Sequence, residues 1–111
     1  MIINKTDSYT LLKDERADYQ NFASYLERVI PAQFSDDHLV IDLSEFDGLS
    51  LEELLLMLKI STYHRSTKHS FVIISTAVDV DDIPAELVVV PTLQEAGDIV
   101  EMEAIERDLG F

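Results

Sequence analysis

Two kinds of apolar spacing alternate along the chain. Leu39-Val40-Ile41, Phe71-Val72-Ile73-Ile74 and Leu87-Val88-Val89-Val90 are short, nearly continuous apolar runs of the length of buried strands. Elsewhere apolar residues recur at steps of three and four, the period of a helix face. Tyr19, Phe22, Ala23, Leu26, Val29 and Ile30 make one such series. Leu51 to Tyr63 makes a second, and Ala96, Ile99, Val100, Met102 and Ile105 a third. At the start, residues 1–6 and 8–13 read as two short strands with Asp7-Ser8 as the tight turn between them, an N-terminal β-hairpin that the polar Asp14-Glu15-Arg16 ends.

Local signals mark the boundaries. Asp18 can cap the first helix, and Pro31 is expected to stop it. Ser50-Leu51-Glu52-Glu53 is a capping box, in which the Ser hydroxyl and the Glu carboxylate satisfy backbone N–H groups at a helix start. That helix is expected to run to about Tyr63, with Arg65, Lys68 and His69 at or just past its end, where the helix dipole favours positive charge. Pro84-Ala85-Glu86 reads as a single helical turn, and Pro91 closes the last strand. Thr92-Leu93-Gln94-Glu95 is a second capping box, opening a helix to about Leu109. The order is β-β-α-β-α-β-turn-β-α. It predicts an α/β fold in one domain over residues 1–111: a mixed, mostly parallel sheet of four or five strands, flanked by helices.

One segment is more apolar than its place requires. Leu51, Leu54, Leu55 and Leu58 supply a core-facing stripe, and Leu56, Met57, Ile60 and Tyr63 extend apolar surface around the remaining sides. The surplus either packs against neighbouring helices or forms a contact surface, a role that the adaptable Met57 would suit. The stretch Glu101–Phe111 poses the same choice: strongly acidic, it keeps Met102, Ile105, Leu109 and Phe111.

Composition narrows the function classes. With no cysteine among 111 residues, disulfides, thiolate metal sites and cysteine nucleophiles are excluded. The longest apolar run is about five residues, far short of a membrane span, and Met1-Ile2-Ile3-Asn4-Lys5 has no signal-peptide pattern, so the cytoplasm is the expected compartment. The net charge of -14, from 22 acidic and 8 basic residues, disfavours nucleic acid and anionic membrane surfaces and would favour a basic protein partner.

Candidate chemistry is sparse. His38, His64 and His69 form no metal-ligating motif and read as surface or helix-end histidines. Asp36-Asp37 and Asp42 invite comparison with phosphoacceptor sites, but the acidic pair precedes its strand and lies on the wrong side of it. Asp79, Asp81 and Asp82 lack the Gly and distal Glu of a calcium loop and read as a solvated turn. Gly48, Gly97 and Gly110, the only glycines, build no phosphate loop. No catalytic residue, metal ligand or cofactor is nominated.

The order of elements, with Val40-Ile41-Asp42-Leu43-Ser44 and the loop and apolar helix that follow, resembles the sulphate-transporter and anti-anti-sigma-factor (STAS) domain family. Val90-Pro91-Thr92-Leu93-Gln94-Glu95-Ala96 is similar to that family's last strand and helix start. The resemblance implies a regulatory protein-interaction domain without enzymatic activity. Members controlled by phosphorylation carry Asp-Ser-Ser/Thr-Gly at the helix start. Here Leu51 and Glu52 replace the hydroxyls and Glu53 the Gly, so phosphoregulation of the usual kind is not expected. Glu52 either simply favours the helix dipole or supplies permanent negative charge at that helix start, in imitation of the phosphorylated state. The surface implied for a partner is Asp47, Ser50, Glu52, Glu53, Leu56, Met57 and Ile60. The chain ending also resembles short bacterial proteins labelled ribonuclease Z, but it carries no His-x-His-x-Asp-His metal motif, and such a label is expected to be inherited from a companion protein. Two alternatives remain: a small enzyme or nuclease subunit, the ribonuclease label taken literally, and a homodimer sealed by apolar helix faces.

Overall fold

A computed structural model describes residues 1–110. Phe111, counted above among the apolar positions of the last segment, lies outside the described residues. Five strands, β1 (Ile2–Lys5), β2 (Thr10–Lys13), β3 (Leu39–Asp42), β4 (Phe71–Ile74) and β5 (Val88–Val90), form one sheet in chain order. β1 pairs antiparallel with β2, and every other pair is parallel. The α/β fold is therefore the one that the apolar pattern predicts. No helix among the described residues is long and apolar enough to cross a membrane.

The sheet has two covered faces, and the period-two alternation of its strands assigns residues to them. Leu12, Leu39, Ile41, Phe71 and Ile73 point into the larger core. There they meet α1 (Tyr19–Gln33) and a three-part helical segment made of α2 (Leu51–Leu54), a 3-10 turn (Leu55–Met57) and α3 (Leu58–Ser66). Leu11, Val40, Val72 and Ile74 point to the other face, which α4 (Leu93–Asp108) covers with Ala96 and Val100. Connection handedness explains the asymmetry. Strands laid down in one direction with right-handed crossovers put every crossover on the same face. The β4–β5 connection packs Ala77, Val78, Ile83 and Leu87 there too. Among the described residues α4 joins no two strands, so that constraint does not act on it.

Four local expectations are corrected. Pro31 lies inside α1, which continues to Gln33. A proline inside a helix loses its own N–H bond and crowds the carbonyl four residues back, but here it falls near the end, which buried Phe34 anchors, its N–H donating to the Ile30 carbonyl at 2.9 Å. The helix from Leu51 is not uniform. Its 3-10 turn has three residues per turn, which keeps side chains at i and i+3 aligned, and Leu54, Met57, Ile60 and His64 all turn inward. Met57 and Ile60 are thus core residues and not contact residues. Pro84-Ala85-Glu86 is a turn without a helical assignment, and the chain instead makes a 3-10 turn at Val80–Asp82, capped by Asp79, whose side chain accepts from the Asp81 N–H at 3.0 Å. His64 does lie at a helix end, in the last turn of α3, but it is fully buried there and not on the surface.

Candidate functional site

Loops at the carboxyl ends of parallel strands converge where α/β domains usually bind ligands. Here the β2–α1 and β3–α2 loops border an open hollow of about 620 Å³, lined by Ala17, Asp18, Tyr19, Phe46, Gly48 and Glu53 among others. Its Asp18, Tyr19 and Glu53 side chains are engaged in hydrogen bonds within the fold. Asp18 accepts from the Asn21 N–H at 3.2 Å and caps α1. The Tyr19 hydroxyl donates to the Glu53 carbonyl at 2.6 Å, and its ring meets Phe46 edge-on at 5.5 Å. Burial, and after it the Glu53 charge, pushes the Tyr19 phenol far up, so it remains a donor at every physiological pH. Beside the hollow, one Asp42 carboxylate oxygen accepts from the Ser44 N–H at 2.9 Å and the Ser44 hydroxyl at 2.6 Å. Lys13 lies 3.1 Å from Glu45 and 4.0 Å from Asp42, and its hydrogen bond to Glu45 raises its pKa.

Ser50 and Glu53 form the capping box: Ser50 Oγ accepts from the Glu53 N–H and Glu53 Oε1 from the Ser50 N–H, both at 3.1 Å. The exposed Ser50 hydroxyl is therefore a structural acceptor. Ser50→Ala should lower the unfolding free energy by about 1 kcal/mol. Urea unfolding measures this, and an unchanged midpoint would show that the cap carries no stability.

Asp47 and Glu52 are exposed beside this cap. Further along, Leu56 stands half exposed, and so does Tyr63, seven residues and two turns on, which brings both to one side of the segment. Between α1 and α3 a shallow groove of about 220 Å³ runs past Ile30, Pro31, Ile60 and Tyr63, with Lys59 and Glu27 joined across it at 3.0 Å. Of the seven surface residues expected from sequence, Asp47, Ser50, Glu52 and Leu56 are exposed, Glu53 is half-buried, and Met57 and Ile60 are in the core. Tyr63, placed beside them as generic apolar surface, is the exposed aromatic of this face.

A second constellation escapes sequence reading. At the opposite, amino end of the strands the three histidines gather. The His38 and His69 rings lie 5.2 Å apart, and those of His64 and His69 5.6 Å. His38 directly precedes β3 and His69-Ser70 precedes β4, so parallel pairing brings them side by side. The alignment of the two strand starts was the available signal. His38 Nδ1 accepts from the Ser70 N–H at 3.0 Å. His64 Nε2 donates to the Asp37 carbonyl at 2.6 Å, which leaves His64 Nδ1 buried without a partner. Burial lowers the pKa of both rings. For His38 the Arg107 charge acts the same way, and for His64 the Asp37 carbonyl opposes the shift. The Asp37 carboxylate faces the same end, accepting from Thr10 Oγ1 at 3.1 Å and lying 3.5 Å from Lys5. It is thus at the other end of the sheet from Asp42. Among the described residues no three His, Asp or Glu side chains converge in a metal-holding arrangement.

Fold and site together define a small α/β domain with a capped helix start at the carboxyl end of its parallel strands and an exposed apolar helix side beside it. No known family profile matches the chain, and no curated protein matches it either.

Proposed function

We propose that this protein is a non-enzymatic interaction module of regulatory type, STAS-like in its order of elements, acting in the cytoplasm on a protein partner of basic character. The partner surface is the outer side of residues 47–63. Asp47, Ser50 and Glu52 stand at its head and Leu56 and Tyr63 along its length, with Glu52 as fixed negative charge where the resembling family is phosphorylated. The observation that carries this reading is the contrast between the two halves of the site. The Asp18, Tyr19 and Glu53 side chains of the hollow are tied up in caps and a bond to the backbone, whereas Leu56 and Tyr63 are large apolar groups left half exposed on one side.

The test is a quantitative pull-down from native lysate with the wild-type protein and the double variant Leu56→Ser/Tyr63→Ser. A partner retained by the first and lost by the second, with the melting temperature of the variant within a few degrees of wild type, is the expected result. Equal retention by both would overturn the assignment of the surface. Metal-dependent cleavage of a tRNA precursor by purified protein, lost on replacing His38, His64 or His69, would overturn the non-enzymatic reading itself.

A further inference from the structure

Helix α4 is apolar on two sides. Ala96 and Val100 face the sheet and are buried. At 100° per residue, Met102, Ile105 and Leu109 fall within an arc of about 60° on nearly the opposite side, and they are 54%, 59% and 67% exposed. A helix that only covered a sheet would carry polar residues there.

The charges around this stripe are of one sign. Asp98 heads it one turn before Met102, Glu95 and Glu106 flank one edge, and Glu101 and Asp108 the other; all five are exposed. The helix's single cation, Arg107, is turned inward, where it donates to Ser70 Oγ at 2.9 Å. Glu103 is inward as well, joined to Arg65 at 3.0 Å. The outer face is therefore an apolar stripe in an acidic frame with no compensating cation of its own. A second copy would set carboxylates against carboxylates, which penalises self-association. A basic amphipathic helix, with apolar residues at i, i+3 or i+4 and i+7 between Lys and Arg, matches the stripe in spacing and the frame in charge.

We infer that the outer face of α4, built on Met102, Ile105 and Leu109, is a docking surface for a basic amphipathic helix of a partner protein. It lies on the other side of the sheet from Leu56 and Tyr63, so this surface and the one proposed above stand or fall separately.

The probe is a fluorescent synthetic helical peptide with leucines at that spacing and lysine flanks, compared with the same peptide carrying glutamate flanks. The readouts are anisotropy and backbone amide shifts of the full chain. The lysine peptide should bind, weaken as salt is raised, and shift the α4 amides. The glutamate peptide should not bind. Because Ile105 and Leu109 are exposed, Ile105→Ser/Leu109→Ser should fold normally and lose about tenfold or more in affinity, while Leu56→Ser/Tyr63→Ser should bind as wild type. Equal affinity of the Ile105→Ser/Leu109→Ser variant would mean diffuse attraction to an acidic protein and would overturn the inference. So would a dimer seen in sedimentation that this variant dissociates, since the occupant would then be a second copy.

Discussion

Met57→Ala should lower the unfolding free energy by about 2–5 kcal/mol, and Leu56→Ala should change it by less than about 0.5 kcal/mol. The two residues are adjacent and similar in size and hydrophobicity, and both were candidates for one contact surface. Met57 has no exposed surface and packs in the larger core with Leu54 and Ile60, so truncation removes buried contacts and leaves a cavity. Leu56 is half exposed, so its truncation mostly alters surface already in water. Urea titrations of the two single variants make the comparison directly. Similar midpoints would mean that the 3-10 step does not turn Met57 inward in solution.

The second large effect is acid sensitivity from the histidine cluster. His38 and His64 have folded pKa values below the ordinary 6.5. Well above pH 6.5 both states hold the rings neutral, and the histidines add no pH dependence. As pH falls through 6.5 the unfolded chain takes up protons that the folded protein resists, so stability declines. The loss is complete once pH has dropped below the depressed folded values. The groups facing the rings are Asp37, Glu103, Arg107 and His69. Protonating His64 places a charge and a new N–H at the buried, unpartnered Nδ1. His64→Gln, which can still offer a donor to the Asp37 carbonyl, should flatten the decline in melting temperature between pH 7.5 and 5.5. Most carboxylates stay ionised over that range. Equal slopes for variant and wild type would remove His64 as the sensor.

Legibility differed from element to element. The β3 and β4 runs and the Asp18, Ser50 and Thr92 caps were readable because each depends on a few neighbouring residues: a run short enough to be a strand, or an acceptor placed three residues before an unpaired N–H. Pro31 misled because its cost is local, while the gain that offsets it, burial of Phe34 in the larger core, depends on tertiary packing. His64 misled for a similar reason. A polar residue near a helix end is ordinarily solvated, yet the Asp37 carbonyl that accepts its hydrogen bond is 27 positions away in the chain. The candidate site divided in the same manner. Its capped head was visible as a motif, but the exposed side of the segment behind it was not.

The sequence by itself determined the succession of strands and helices, the parallel sheet after an opening hairpin, the helix starts and the acidic surface, because these follow from spacing and from interactions a few residues long. Only the tertiary structure decided which apolar residues face inward. A segment apolar all round has no side of its own choosing: the 3-10 step from Leu55 to Met57 orients it, burying Met57 and Ile60 and leaving out Leu56 and Tyr63. The sheet also decided that three scattered histidines meet, by aligning the starts of β3 and β4. Because right-handed crossovers crowd one face, it left α4 alone on the other, with a second apolar side turned to solvent.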